Sequence, residues 1–384
     1  MTGLSISSTQ VEVSRELMVD VIQSWLSSRR YALLEGVAVM PRPVDDMSPA
    51  PLMTKGEQGS TYYLVDESQK GWVLKKFFPD TQPDRAYSEA IQSLVPGRPG
   101  FESGVERQML ESSSVSSSAY ADPDFQAWID GAVLMPQVMS TTWAELAASI
   151  REGTTLSKVE RLLLCQKLSE KIGWLESVGL AHRDLSGTNV LIDSLNIEIH
   201  LIDWDSLYHP TLVMPSNATC GTTGYLAPFV KGAGSEGAQA TWLENSDRFA
   251  LAILNVEVLI MGSKFPPAGE VIDQDDIYHR SGRGLRVVRD TLRRTSLAAA
   301  ELFDEALAAR SFAECPGPSD WIVRLETELI NSRDSTWDER IPAAAEDESI
   351  YAADYDPHFV KVNRSALVKI DQRAFVKALA GVWR

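Results

Sequence analysis

The chain has 384 residues, 44% of them hydrophobic and 23% charged, with a formal net charge of -17. That length exceeds one average domain and suits a two-lobed fold with additions, on a composition ordinary for a globular protein. The acidic balance argues against a nucleic-acid surface, which needs a basic stripe; with no membrane-length apolar run and no signal-peptide start, a cytoplasmic protein without membrane partners is expected. Cys165, Cys220 and Cys315 are odd in number, far apart and without metal-ligand spacing, and read as reduced thiols.

Over residues 9–29, Val11, Leu17, Val21, Ile22, Trp25 and Leu26 recur at helical spacing. The resulting amphipathic helix either docks on the body or binds a partner. Pro41, Pro43, Pro49 and Pro51 then predict an extended linker. Residues 53–78 read as strand, glycine turn, strand, turn and strand, with Gly56 and Gly59 bracketing the first turn. Glycines there let backbone N–H groups approach phosphates. Strand alternation places Lys75 on one face with Val73 and Phe77, and Lys76 toward solvent. Glu89, Glu102, Glu106 and Glu111 follow as helix candidates. Residues 112–118 are serine-dense and predict a surface loop. Residues 125–129 and 132–139 predict two strands, and Leu162, Leu163, Leu168, Ile172 and Leu175 predict a long buried helix over 156–177.

His182-Arg183-Asp184 comes next, with Asn189 five residues after the aspartate. Two apolar, β-branched segments, 190–193 and 197–202, predict a hairpin that ends at Asp203-Trp204-Asp205. Carboxylate, amide and carboxylate then converge. Such oxygens hold Mg²⁺ together with substrate phosphates and leave one aspartate to accept a proton. Further on come Gly221-Thr222-Thr223-Gly224-Tyr225-Leu226-Ala227-Pro228 and an apolar helix that Ser246 or Asp247 can cap. Helices over 301–312 and 321–330 follow. In the tail, 337–356 is acidic and irregular, 358–370 reads as a hairpin, and Asp371 caps a last helix.

These residues resemble the protein kinase-like superfamily, in its divergent bacterial Ser/Thr form. His182, Arg183, Asp184, Leu185 and Asn189 match H-R-D-L-x-x-x-N, and Asp203 matches the metal-binding aspartate of D-F-G. Trp204 stands for Phe, and Asp205 replaces Gly at a flexible backbone position. Gly56 and Gly59 align with two glycines of the Gly-rich loop, Lys75 with the lysine of V-A-I-K, and 221–228 with the end of an activation segment. Phe229 replaces that segment's closing glutamate and Gly317 its arginine partner. Losing both together leaves no stranded buried charge, so a repacked lobe is expected.

The resemblance implies an α+β fold with a small antiparallel-sheet N-lobe and a mostly helical C-lobe. The expected divisions are 1–48 (helix and linker), 49–139, 140–330 and a 331–384 extension. It implies ATP and Mg²⁺ as cofactors, and γ-phosphoryl transfer to Ser or Thr of a protein substrate, with autophosphorylation in scope. A nucleotide-binding pseudokinase scaffold and a small-molecule phosphotransferase are the alternatives. Asp184 is the implied base and Asn189 and Asp203 the metal ligands. Gly56, Gly59 and Lys75 would hold phosphates, and Met135, Pro136 and Val138 would line the adenine site. Glu106 is the chosen partner of Lys75, because Leu110 lies one turn later where an apolar residue is expected; Glu89 is the reserve. Asp247 would hold the His182-Arg183-Asp184 backbone, Thr222 would hydrogen-bond Asp184, and Arg183 would bind a phosphate on Ser216 or Thr219. Either terminal extension is a place for a regulatory protein partner.

Overall fold

The computed structural model describes residues 21–44, 50–56, 58–95, 97–115, 120, 122–151, 156–193, 198–231, 235–260 and 274–333. The expected hairpin and last helix of the tail lie outside them. The chain divides into two compact units, and its class is α+β. The first comprises Met1–Met139 with Ile202–Asp205 and Pro215–Asn217; the second holds Ser140–Leu201, Ser206–Met214 and Ala218–Arg384.

The first unit is built on an antiparallel sheet of β1 (Ala32–Leu34), β2 (Val37–Pro41), β3 (Met53–Lys55), β4 (Gly59–Asp66), β5 (Gly71–Phe77), β6 (Gln108–Met109) and β7 (Val133–Pro136). Its order is β1-β2-β4-β5-β7-β6, with β3 also on β4. The β1–β2 hairpin, not expected from the sequence, precedes the proline stretch: Ala32, Leu34 and Val39 are buried, and Glu35 and Gly36 turn the chain at φ 46° and 84°. The prolines sit at its exit, where Pro41 ends β2 and Pro43 bridges Pro51. Residues 21–28 are helical and lay Trp25, fully buried, against Phe125 with ring centroids 4.7 Å apart. In its described part, then, the N-terminal helix docks on the sheet unit.

Helix α1 (Arg85–Leu94) is capped by Asp84, and α2 (Glu102–Val105) is a single turn. Residues 125–129, expected as a strand, belong instead to α3 (Pro123–Ile129). Asp122 accepts from the Asp124 N–H at 2.8 Å and Pro123 opens the helix, so the cap decides the local conformation. Phe125, Trp128 and Ile129 then fall on one buried face.

In the second unit, β8 (Thr141–Thr142), β9 (Val190–Asp193) and β10 (Glu198–Leu201) form a small antiparallel sheet with β9 central. Its helices among the described residues are α4 (Trp143–Arg151), α5 (Lys158–Ser177), α6 (Ser235–Ala240), α7 (Arg248–Ile260), α8 (Gln274–His279), α9 (Arg283–Thr295), α10 (Leu297–Ala308) and α11 (Pro318–Arg333). Helix α5 begins with a capping box, Ser157 and Glu160 bonding each other's backbone. It buries Leu162, Leu168, Ile172 and Leu175. Its buried Arg161 donates to the Val258 carbonyl of α7 at 2.6 Å. Among the described residues no helix is long and apolar enough to cross a membrane.

Candidate active site

In the first unit, β5 sends Trp72 and Leu74 into the apolar core, so period-two alternation puts Lys75 on the opposite face beside Phe77. The Lys75 ammonium lies 2.6 Å from Asp203 Oδ1, 2.7 Å from Asp205 Oδ2 and 3.3 Å from Gln58 Oε1. It also sits 5.0 Å from the Phe77 ring centroid. Asp205 uses its other oxygen to accept from Arg107 Nη2 at 2.7 Å, and Arg107 donates to Ser88 Oγ of α1 at 3.0 Å. Two cations and two carboxylates thus form one charge-balanced chain.

The expected Lys75–Glu106 pair is corrected. Glu106 follows the one-turn helix α2 and reaches Lys70 at 3.5 Å, both side chains about half exposed. Glu89 pairs with Arg85 on the surface. A one-turn helix presents no long face along which a glutamate and the apolar residue after it can stack, and Asp205 meets the lysine instead.

The charges set the protonation states. Burial disfavours the Lys75 ammonium, but Asp205 and Asp203 outweigh burial and hold its pKa above the ordinary lysine value. Burial likewise opposes ionisation of Asp205, and Lys75 with Arg107 overcomes it, leaving that carboxyl well below the usual range. Burial pushes Asp203 up to about 6, Lys75 pulling down and the Asp205 charge adding to the rise. Asp203 takes the left-handed backbone at φ 64°, uncommon for a residue with a side chain. Trp204, which stands for Phe, is buried against Phe101 at 5.5 Å and donates its indole N–H to Ser103 Oγ at 3.1 Å. Gly104 makes room for it, since a Cβ there would lie 2.9 Å from Trp204 Nε1.

The turn between β3 and β4 is closed by the Gly56 N–H on the Gly59 carbonyl at 2.9 Å. A Cβ on Gly59 would stand 2.2 Å from the Lys76 carbonyl of β5, so close strand approach requires that glycine; one on Gly56 would meet only open space and Gly59 O at 3.8 Å. Met135 and Pro136 end β7, opposite Val73 and Trp72 of β5, and Val138 lies just past the strand.

In the second unit, the loop between α5 and β9 carries Asp184. Its Oδ1 accepts from Thr222 Oγ1 at 2.7 Å, as expected. Asn189 Nδ2 donates to the Asp184 carbonyl at 2.8 Å and to Oδ2 at 3.3 Å. The two oxygens of buried Asp247 accept the backbone N–H groups of His182 and Arg183 at 2.6 and 2.7 Å, the structural role expected of it. Arg183 corrects another expectation. Its guanidinium is buried and donates to the carbonyls of Thr241, Ser206, Thr219 and Ala238 and to Thr241 Oγ1, over the Trp242 ring. Phosphate on Ser216 or Thr219 would have to displace these bonds. Tyr225 accepts from the Gly187 N–H at 3.1 Å and donates to Glu257 of α7 at 3.0 Å, tying the 221–228 segment to the Asp184 loop. Phe229 packs edge-on against Phe312 at 4.8 Å, and the Arg248 guanidinium, paired with Glu176, lies 3.5 Å from where a Gly317 Cβ would be. Those contacts repack the region that lacks the Glu–Arg pair.

Among the described residues no three His, Cys, Asp or Glu side chains form a metal site by themselves. Magnesium held partly by nucleotide phosphates needs only one or two carboxylates. In the first unit Asp203, its side chain 32% exposed, is a carboxylate of that kind, and in the second unit Asn189, on the Asp184 loop, carries an amide oxygen. Sequence reasoning missed Asp205, Arg107, Ser88 and Gln58. The signal for the first was an acidic residue where the resembling motif has glycine, and for the second an arginine beside the chosen glutamate.

No family model matches the chain. Over 84 residues, 22% of the chain, it is 34% identical to the gamma catalytic chain of phosphorylase b kinase, liver/testis isoform, of Mus musculus and of Homo sapiens. Over 93 residues it is 32% identical to myosin light chain kinase A of Dictyostelium discoideum. The chain spans about a fifth of the length of the first of these and 31% of the last. The kinase domain of PknI from Mycobacterium tuberculosis aligns over 77% of this chain and 97% of its own, at 16% identity and a TM-score of 0.48.

Proposed function

We propose that this protein kinase-like chain transfers the γ-phosphoryl group of ATP to Ser or Thr hydroxyls of a protein substrate. The observation that carries the reading is the setting of Asp184, held by Asn189 and Thr222 on a loop whose backbone is clamped by Asp247. A carboxylate so oriented accepts a proton from an incoming hydroxyl. Lys75 would grip the phosphates, the turn from Gly56 to Thr61 would cover them, and Met135, Pro136 and Val138 would receive the adenine. Asn189 and Asp203 would hold Mg²⁺, which offsets charge on the transferred group. The Thr222 bond to Asp184 supports a short hydroxyl as acceptor. Catalysis rests on positioning and charge neutralisation rather than a covalent enzyme intermediate.

The test is incubation of purified protein with Mg²⁺ and labelled ATP, alone and with generic protein acceptors, followed by mass spectrometry. Phosphate on Ser or Thr is expected, including autophosphorylation. Phosphate confined to Tyr would overturn the acceptor class. Tight ATP binding without transfer would replace the enzyme reading with a nucleotide-binding scaffold.

A further inference from the structure

The four glutamates that follow Lys75 are committed elsewhere: Glu89 to Arg85, Glu102 to the Gly100 N–H, Glu106 to Lys70 and Glu111 to Arg85. A lysine on a strand face keeps its long side chain in one direction only if something holds the ammonium, because its four-carbon stem is otherwise free to rotate. Here the holder is Asp205, whose side chain is 8% exposed. Arg107, 3% exposed, fixes that carboxylate from the other side and is itself tied to Ser88 of α1. We propose that Asp205, oriented by Arg107, is the positioning carboxylate for Lys75, doing the work that a helix glutamate was expected to do. The proposal rests on reading Lys75 as the phosphate-gripping residue.

The arrangement separates two duties. Asp203 contacts Lys75 through one oxygen and is the more open carboxylate; Asp205 divides its oxygens between Lys75 and Arg107 and is nearly enclosed. When Asp203 is engaged by a cation, Lys75 retains a partner in Asp205, so its direction does not depend on the metal ligand. An aspartate where a glycine was expected is therefore a gained anchor. The short reach of an aspartate suffices because Asp205 lies two residues from Asp203 on the same turn.

The experiment uses the full chain and ATP with MgCl₂ as the probe, titrated for binding and assayed for KM and kcat. Asp205→Asn is expected to weaken ATP binding about tenfold, the scale of one charge-assisted contact. Arg107→Gln should weaken it similarly, and the double variant should be no worse than Asp205→Asn alone, because both act through one chain of contacts. Asp205→Glu should recover part of the loss, whereas Glu106→Gln and Glu89→Gln should stay within about twofold of wild type. Wild-type ATP affinity in Asp205→Asn overturns the proposal, the more directly if Glu106→Gln or Glu89→Gln is impaired. Urea unfolding without nucleotide supplies the independent readout: Lys75→Met and Asp205→Asn should shift the midpoint by less together than the sum of their separate shifts. If wild type binds no ATP, the phosphotransfer reading falls and urea alone decides the positioning; additive shifts overturn it.

Discussion

Arg107 and Asp205 meet at 2.7 Å although 98 residues separate them in the chain, and both side chains are almost wholly enclosed. Breaking a buried ion pair from one side strands the other charge, at a cost of about 3–5 kcal/mol. Lys75 remains beside Asp205, so Arg107→Met should fall at the lower end, about 3 kcal/mol, read as a drop in urea midpoint. Glu106→Gln, which removes only the half-exposed pair with Lys70, should cost less than about 1 kcal/mol. Equal effects of the two substitutions would contradict this account of the sheet unit.

Asp184→Asn should lower phosphoryl transfer by about 10²- to 10⁴-fold, the usual contribution of a general base. The asparagine's Oδ1 still accepts from Thr222 and its backbone carbonyl from Asn189, so the loop is retained and nucleotide affinity should stay near wild type. Single-turnover rates and a binding isotherm on the same preparation check both halves.

The two glycines of the β3–β4 turn should respond differently to alanine. Gly59→Ala places a methyl 2.2 Å from the Lys76 carbonyl, and relieving it means moving β4 from β5. A loss of about 1–3 kcal/mol is expected. Gly56→Ala meets open space and should leave the melting temperature within a few degrees of wild type. A Gly59→Ala protein as stable as wild type would show that the strands tolerate the separation.

Thiol labelling should single out Cys220, which is partly exposed, while Cys165 and Cys315 are buried. Burial pushes the Cys315 thiol up to about 12 and that of Cys165 above its ordinary value, so neither supplies the reactive thiolate near neutral pH. Iodoacetamide on the native protein, followed by peptide mapping, should find label on Cys220 and reach the other two only after denaturation.

Features encoded within a few residues were legible in the sequence. The spacing of Asp184 and Asn189, the β9–β10 hairpin after them and the apolar stripe of α5 each depend on local periodicity or a turn, and the structure has them where expected. Residues 123–129 were legible in principle as well, since Asp122-Pro123 is a capping signal, but the apolar run beyond it was read as a strand. The β1–β2 hairpin lies just before the proline stretch, whose first member, Pro41, is tolerated because it stands at the end of β2.

What only the tertiary structure decided is who pairs with whom among the charges. Sequence separation says nothing about whether Lys75 meets Glu106, 31 positions away, or Asp205, 130 positions away. Coulomb attraction acts through space and rewards the partner that shares burial, and burial is set by how strands and turns pack. The same reason removes Arg183 from the surface: five bonds to carbonyl and hydroxyl oxygens of distant segments enclose a guanidinium that the motif alone would leave open to a phosphate. The candidate groups were therefore legible in the sequence, whereas the electrostatic company they keep was settled when the chain brought remote charges into a shared interior.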